Sequence, residues 1–191
     1  MTQLYTQSQK EKIEKLFQIN DWYGKREVYT FALNREGNDR LLRKEEETTF
    51  ESMLDELQPK TVLDYGSGYG VAIDAVAKKY PHIEFTKFDP FVPEYSTRPQ
   101  GQFDLVVSHR VLRIVEENFR EQVLQDMYDY AKHHLLLSIL LYEVDGIPFS
   151  YYADVLSKYN VVYQGLEEPH QREGFDTGMY TISNSGFLIK K

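Results

Sequence analysis

The chain has 191 residues, 41% hydrophobic and 14% aromatic, which excludes a disordered chain and suits one domain with a buried core. Twenty-two basic and thirty acidic side chains give a net charge of −8, which disfavours a nucleic-acid partner without excluding one. The chain has no cysteine, so disulfides, thiolate nucleophiles and cysteine-ligated metal sites are excluded.

Helical signals dominate the first sixty residues. Apolar residues recur at helical spacing in Ser8–Asn20 and in Arg43–Leu57, and Pro59 ends the second helix. We interpret residues 1–58 as an N-terminal helical cap or lid. Between its helices lies an aromatic group that would either close over a ligand or pack on the rest of the fold: Trp22, Tyr23, Tyr29 and Phe31.

Strands and helices alternate after Pro59. The predicted strands are Thr61–Tyr65, Ile83–Phe88, Phe103–Ser108, Leu135–Tyr142 and Val161–Gly165. The predicted helices between and after them are Val71–Lys79, Glu116–Lys132 and Ser150–Lys158. This alternation predicts an α/β fold in which residues 59–191 form one compact unit, with a mostly parallel sheet and helices on both faces.

The C-terminal segment has the pattern of an antiparallel hairpin. Two apolar runs, Met179–Ser183 and Phe187–Lys190, flank the turn-forming residues Asn184–Gly186. We therefore predict two short antiparallel strands at this end of the sheet.

No segment has the length or composition of a membrane span. The longest apolar run, Leu135–Tyr142, is far below the roughly 20 residues that a spanning helix needs, and Met1–Lys15 carries no apolar signal segment. We therefore expect no membrane partner. The absence of cysteine agrees with a reducing compartment, and we predict a cytoplasmic protein. The sequence leaves the oligomeric state open.

A glycine-rich turn follows the first predicted strand. In VLDYGSGYG, residues 62–70, three glycines at alternate positions lead into a helix, which lets a ligand approach the backbone closely. Asp89 follows the next strand, where dinucleotide-binding folds place the acid that binds ribose hydroxyls. The G-x-G-x-G spacing differs from that of NAD sites, and the Asp64 carboxylate would repel a pyrophosphate but suit a cationic ligand.

The order of these motifs resembles that of the class I S-adenosylmethionine-dependent methyltransferases, which have a Rossmann-like fold. VLDYGSGYG is similar to their first motif and FDPF, residues 88–91, to their second. FDLVVSHRVL, residues 103–112, is similar to the segment around their fourth strand, and HLLLSILL, residues 134–141, to their fifth strand. The resemblance implies binding of S-adenosylmethionine and methyl transfer to an acceptor that the sequence does not identify.

The resemblance also implies a set of cofactor-binding residues. Asp64 and the backbone of the glycine loop would face the methionine part of the cofactor, or Asp64 would only organise the loop. Gly70 would let the following helix approach. Asp89 would bind the ribose hydroxyls, with Pro90 and Phe91 beside the adenine. The full implied set is Asp64, Tyr65, Gly66, Ser67, Gly68, Gly70, Asp89, Pro90, Phe91 and Ser108.

Two departures from the family's pattern are visible. Only Pro90–Gln102 separates Asp89 from Phe103, where the family has a helix and a further strand. We predict an extended loop here and an open adenine side. Arg110–Ile114 is basic and apolar where small members of the family often carry an acid and a histidine. An alternative function is therefore a catalytically degenerate protein that binds the cofactor, or a partner, for regulation.

One side chain is a candidate general base. His109 follows a predicted strand at the sheet edge where α/β sites lie, and it would act if the acceptor must lose a proton. The alternative is an ordinary loop histidine. We predict no metal site, because His133 and His134 have no carboxylate at ligand spacing. A nucleotide-dependent reductase is a further alternative, which the glycine spacing disfavours.

Overall fold

The described part of the chain forms one seven-stranded mixed sheet. The computed structural model describes residues 44–112, 115, 117–142, 154–166, 170–174 and 178–191. Its strands are β1 (Thr61–Tyr65), β2 (Glu84–Phe88), β3 (Phe103–His109), β4 (Ala131–Tyr142), β5 (Val161–Leu166), β6 (His170–Gly174) and β7 (Gly178–Lys190). The strand order is β2-β1-β3-β4-β7-β5, with β6 also paired to β7.

The helices of the described part cover both faces of this sheet. They are α1 (Lys44–Leu57), α2 (Val71–Ala77) and α3 (Glu117–Tyr130), with a single further turn at 154–156. Phe50 of α1 and Ile73 of α2 pack with Val62 and Leu105 of the strands. On the opposite face, α3 packs against alternate residues of the same strands, which confirms the predicted α/β fold. The residues of that second cluster include Leu63, Val106, Val123, Leu124 and Met127.

The parallel half of the sheet determines where the candidate site lies. β1 pairs in parallel with β2 and with β3, and β3 pairs in parallel with β4. The carboxyl ends of these strands therefore share one edge of the sheet. At that edge Asp64 of β1 lies in register with Lys87 of β2 and with Val107 of β3.

The antiparallel C-terminal end is confirmed, but the predicted turn at Asn184–Gly186 is wrong. β7 runs without a break from Gly178 to Lys190 and pairs antiparallel with β4 from Ile182 to Lys190. The hairpin lies earlier in the chain and is formed by β6 and β7, which pair with Gly174 opposite Gly178. Turn propensity at 184–186 is overridden because β7 is held between β4 and β5 along this stretch.

Between β1 and β4, three boundaries differ by two residues or more from those that the sequence predicts, and other strand ends differ by one. α2 ends at Ala77 rather than at Lys79. α3 ends at Tyr130, and β4 begins at Ala131 rather than at Leu135. Ala131 fits a helical stripe by spacing, yet it pairs with Phe103 of β3, so pairing with a strand distant in sequence decides its conformation.

The stretch between β2 and β3 is a loop, as predicted. Residues 90–102 contain turns and bends but no helix or strand, so β2 is an edge strand of the sheet. The loop is anchored through Asp126 of α3, whose carboxylate accepts hydrogen bonds from the Tyr65 hydroxyl at 2.6 Å and from Arg98 Nη1 at 2.9 Å. No helix in the described ranges is long and apolar enough to cross a membrane.

Several predictions concern residues that the structure does not describe. The helix Ser8–Asn20 and the aromatic group around Trp22 lie outside the described residues, as do Arg113 and Ile114. The described part of the predicted helix Ser150–Lys158 contains the helical turn at 154–156.

Candidate functional site

The glycine loop is tied to the end of the neighbouring strand. Gly66, Gly68 and Gly70 have φ angles of 81°, 55° and 76°, which residues other than glycine rarely adopt. The Gly66 N–H donates to the Phe88 carbonyl at 2.7 Å, and the Ser67 N–H donates to the same oxygen at 3.2 Å. The loop is therefore preformed at the shared carboxyl edge of β1 and β2.

Asp89 organises this loop. Its side chain is 1% exposed. One carboxylate oxygen accepts the Gly68 N–H at 2.8 Å, and the other accepts the Phe91 N–H at 2.9 Å. The sequence suggested a loop-organising role for Asp64, whereas in the structure Asp89 is the carboxylate that binds the loop backbone. Its predicted contact with ribose hydroxyls stays a prediction.

Asp64 lies at the end of β1 in a different environment. It is buried, and within the described part of the chain its carboxylate accepts no hydrogen bond from the loop backbone. Burial, followed by the nearby Asp89 carboxylate, raises the pKa of Asp64 from 3.8 to about 7; Lys87 acts in the opposite direction, and Asp74 adds a smaller upward effect. A buried acid with a raised pKa destabilises the folded state when it ionises. Such perturbed pKa values are common at binding and catalytic sites.

The pH dependence of stability is expected to report Asp64 directly. Between the unfolded and folded pKa values, the folded state binds more protons than the unfolded state, so ionisation of Asp64 destabilises the fold as pH rises from about 4 to 7. We expect Asp64→Asn to be more stable than the natural protein at pH 8, by up to about 4 kcal/mol.

This advantage should shrink to less than half at pH 5, where the natural carboxyl is largely protonated. Urea unfolding of both proteins at the two pH values measures it. A stability difference that is the same at pH 5 and pH 8 would show that Asp64 has an ordinary pKa.

Ser108 and His109 end β3 beside this acid. Ser108 is 2% exposed, and within the described part of the chain its hydroxyl has no hydrogen-bond partner, which is uncommon for a buried polar group. His109 lies two residues beyond Val107, the register partner of Asp64, and so on the same face of the sheet. Its ring contacts Phe50 edge to face, with 5.7 Å between the ring centres.

The remaining predicted residues lie around the same edge, with their side chains in the core. Tyr65 is fully buried, and its hydroxyl donates a hydrogen bond to Asp126 of α3, so its phenol lies in the core. Pro90 is buried, and Phe91 is 2% exposed within the core cluster of α3. Their predicted place beside an adenine stays a prediction.

The loop after β3 and the helix α3 that follows it contribute two residues that the sequence analysis missed, Val111 and Arg120. Arg110 has a φ of 61°, and its N–H donates to the Ser138 carbonyl at 2.7 Å. This turn places Val111 against Gly66, where an added Cβ would overlap the Val111 side chain. Arg120, which is 4% exposed, donates from Nε to the carbonyls of Leu112 at 3.1 Å and Val115 at 3.0 Å.

A sequence signal exists for one of these two residues. Arg120 occupies a position of the α3 apolar stripe, three, four and seven residues before Val123, Leu124 and Met127. An arginine at such a position indicates a buried guanidinium that needs acceptors. For Val111 the sequence offers no comparable signal, because its contact with Gly66 depends on the path of the loop. Among the described residues there is no group of three candidate metal ligands.

The comparisons with known proteins give a fold. No protein-family model matches the chain, and no curated protein matches it in sequence. The magnesium protoporphyrin IX methyltransferase ChlM from Synechocystis PCC 6803, with bound SAH, is similar over 90% of this chain and 98% of that chain, with a TM-score of 0.53 and 11% identity.

Two further solved structures have the same architecture. The plantazolicin methyltransferase BpumL, in complex with SAH, is similar over 96% of this chain and 98% of its own, with a TM-score of 0.52 and 14% identity. The MccD protein is similar over 77% of this chain and 98% of its own, with a TM-score of 0.56 and 11% identity. The chain therefore has the Rossmann-like fold of the class I S-adenosylmethionine-dependent methyltransferases.

Proposed function

We propose that this protein binds S-adenosylmethionine and transfers its methyl group to an acceptor. The observation that carries the proposal is the Asp64 carboxylate, which is buried at the carboxyl end of β1 beside a preformed glycine loop. A buried acid without hydrogen-bond donors from the loop suits a cationic ligand group and disfavours a phosphate. The solved structures of ChlM and BpumL, each similar in fold, contain SAM or SAH and support the same choice.

The residues at this edge fit the proposed cofactor. Asp64 would pair with the ammonium of its methionine part, and the backbone of Gly66–Gly68 would lie against that part. Ser108 has a buried hydroxyl that lacks a partner in the described part of the chain and can bond a polar ligand atom. Each oxygen of Asp89 accepts a backbone N–H, and a carboxylate has further acceptor capacity for ribose hydroxyls.

The chemistry asks little more of the protein than alignment. Bound S-adenosylmethionine supplies an electrophilic methyl group and a good thioether leaving group. The chain's own residues would hold the donor in line with the acceptor and exclude water, which accounts for a large part of such a rate enhancement. His109, at the end of β3, would accept a proton where the acceptor must lose one.

Calorimetric titration of the purified protein tests the cofactor assignment. We expect micromolar binding of S-adenosylmethionine and S-adenosylhomocysteine, with no heat from NAD as control. Asp64→Asn should weaken binding at pH 8 by about tenfold or more, since a charged hydrogen bond contributes roughly 1.5–3 kcal/mol. Equal binding by Asp64→Asn, or binding of NAD alone, would overturn the assignment.

A second candidate is a regulatory protein that binds the cofactor without turnover. The observation that favours it is the loop after β3, where Val111 packs on the glycine loop and the basic Arg110 stands where small members of the family often carry an acid. Incubation with methyl-labelled S-adenosylmethionine and a fractionated cell extract separates the two. Label transferred to an extract component supports the enzyme, and binding with all label left on the cofactor supports the regulator.

We also propose a cytoplasmic location, because the absence of cysteine agrees with a reducing compartment, and no membrane partner, because the longest apolar run, Leu135–Tyr142, is too short to span a membrane. Fractionation of cells that express the tagged protein tests both.

A further inference from the structure

Lys87 has an unusual path beside the candidate cofactor site. It lies on β2 in register with Asp64 of β1, so both side chains leave the same face of the sheet. Its side chain runs over Gly70, where an added Cβ would lie 2.5 Å from Cδ and 2.8 Å from Nζ. These distances are shorter than any ordinary contact, so residue 70 must be glycine for Lys87 to take this path. The family resemblance assigns Gly70 to the approach of a helix and does not predict this contact.

The ammonium of Lys87 is fixed at the far side of Gly70. Nζ lies 2.6 Å from Oδ1 of Asp74 on α2. It also donates to the Tyr95 hydroxyl at 3.3 Å and lies 4.9 Å from the centre of that ring. Lys87 therefore connects β2, α2 and the loop after β2 through a side chain that is only 18% exposed.

The charge of Lys87 matters because the site is rich in acids. Asp89 follows β2, and Asp74 lies on α2; both raise the pKa of Asp64, whereas Lys87 lowers it. His109 ends β3 on the same face, and α1 presents the apolar Phe50 there. Lys87 is the cation that acts on the Asp64 carboxyl in the described part of the chain.

We infer that Lys87 is a positioning residue of the cofactor site, which crosses Gly70 to tie β2 to α2 and keeps a positive charge beside Asp64. This inference rests on the proposed function, because it assigns Asp64 to the cationic end of the cofactor. In this arrangement Asp74 holds the Lys87 ammonium, and the Lys87 charge favours the ionised form of Asp64 that binds the cofactor. Lys87 itself does not touch the cofactor.

Two alternative roles for Lys87 give different results. A purely structural tie would weaken binding by the same factor at every pH when Lys87 is removed. If Lys87 merely repels the cationic cofactor, the natural protein should bind the cofactor more weakly than a variant with a neutral residue at position 87. A positioning charge predicts a third result, in which removal of Lys87 weakens binding mainly at low and neutral pH and has little effect at high pH.

The experiment measures S-adenosylhomocysteine affinity from pH 5 to pH 9 for Lys87→Met and Asp74→Asn. Lys87→Met should raise the pH midpoint of binding by about one unit, which weakens binding about fivefold at pH 7 and less than twofold at pH 9. Asp74→Asn removes a carboxylate and leaves the lysine unneutralised, so the midpoint should fall. Lys79→Met is the matched control, since it breaks a comparable 2.6 Å ion pair with Glu51 away from the site.

Titration of the Asp64 carboxyl without ligand tests the effect of the Lys87 charge independently of cofactor binding. The 13C resonance of the Asp64 carboxyl, assigned with Asp64→Asn, should titrate near pH 7 in the natural protein, higher in Lys87→Met and lower in Asp74→Asn. If the natural protein binds no adenosyl ligand at any pH, the proposed function fails. If the Asp64 titration and the binding midpoint are unchanged in Lys87→Met, the role of Lys87 is refuted while the proposed function stands.

Discussion

Gly66→Ala is expected to lower the free energy of unfolding by about 3 kcal/mol and to abolish cofactor binding. Gly66 has a φ of 81°, where a residue with a Cβ is strained by about 1–2 kcal/mol. The added methyl would also overlap the side chain of Val111, with Val111 Cβ only 3.3 Å away, and overpacking of this kind costs about 1–3 kcal/mol. Urea unfolding and calorimetric titration measure the two effects.

Gly68→Ala is the matched control for this substitution. Gly68 lies in the same loop with a positive φ of 55°, but an added Cβ there has no neighbour within 4 Å among the described residues. It should therefore show the backbone strain alone, about 1–2 kcal/mol. Val111→Ala should restore part of the lost stability to Gly66→Ala and none to Gly68→Ala. Equal losses for the two glycines would contradict the contact between Val111 and the glycine loop.

Asp89→Ala is expected to have the second large effect. Its carboxylate accepts two backbone N–H groups, at 2.8 and 2.9 Å, in a position that is 1% exposed. Hydrogen bonds to charged groups contribute roughly 1.5–3 kcal/mol each, so we expect a loss of about 3 kcal/mol or more in unfolding free energy. Cofactor binding should be lost as well, because the glycine loop is no longer held. Asp89→Asn, which keeps one acceptor oxygen, should lose about half as much stability.

Asp104→Asn separates loop organisation from stability. Asp104 also accepts two backbone N–H groups, from Lys60 at 2.9 Å and Thr61 at 3.2 Å, but at the amino end of β1, away from the site. We expect it to lose stability and to keep its cofactor affinity at temperatures where it is folded. An Asp89→Ala protein that is folded and binds S-adenosylhomocysteine as the natural protein does would show that Asp89 serves neither the loop nor the ligand.

The sequence predicted those parts of the molecule that depend on neighbours along the chain. The run from β1 through the glycines to α2 can be read from residues adjacent in sequence. The same holds for the position of Asp64 at the end of β1 and for the loop after Asp89, which stands where the family has a further strand. The contacts of Lys87 with Asp74 and of Val111 with Gly66 depend instead on strand register and loop path. No local pattern encodes them.

The C-terminal error has the same origin. Asn184–Gly186 has good turn chemistry, and an isolated peptide of this sequence would favour a turn. In the protein, β4 offers this segment a partner strand, with Asn184 opposite Leu140 and Gly186 opposite Ser138. Strand pairing along nine residues outweighs the local turn preference of three.

The place of β7 in the sheet also has a consequence for folding during synthesis. β5 pairs with β7 and, in the described part of the chain, with no other strand, while β7 also covers the outer edge of β4. β1 to β4 can assemble as soon as they leave the ribosome, but β5 must wait for residues 178–190. Until then the edge of β4 and the edge of β5 that β7 will pair with are both open, and open strand edges favour pairing with other chains. Chaperone binding to nascent chains is therefore most useful just before the last strand emerges.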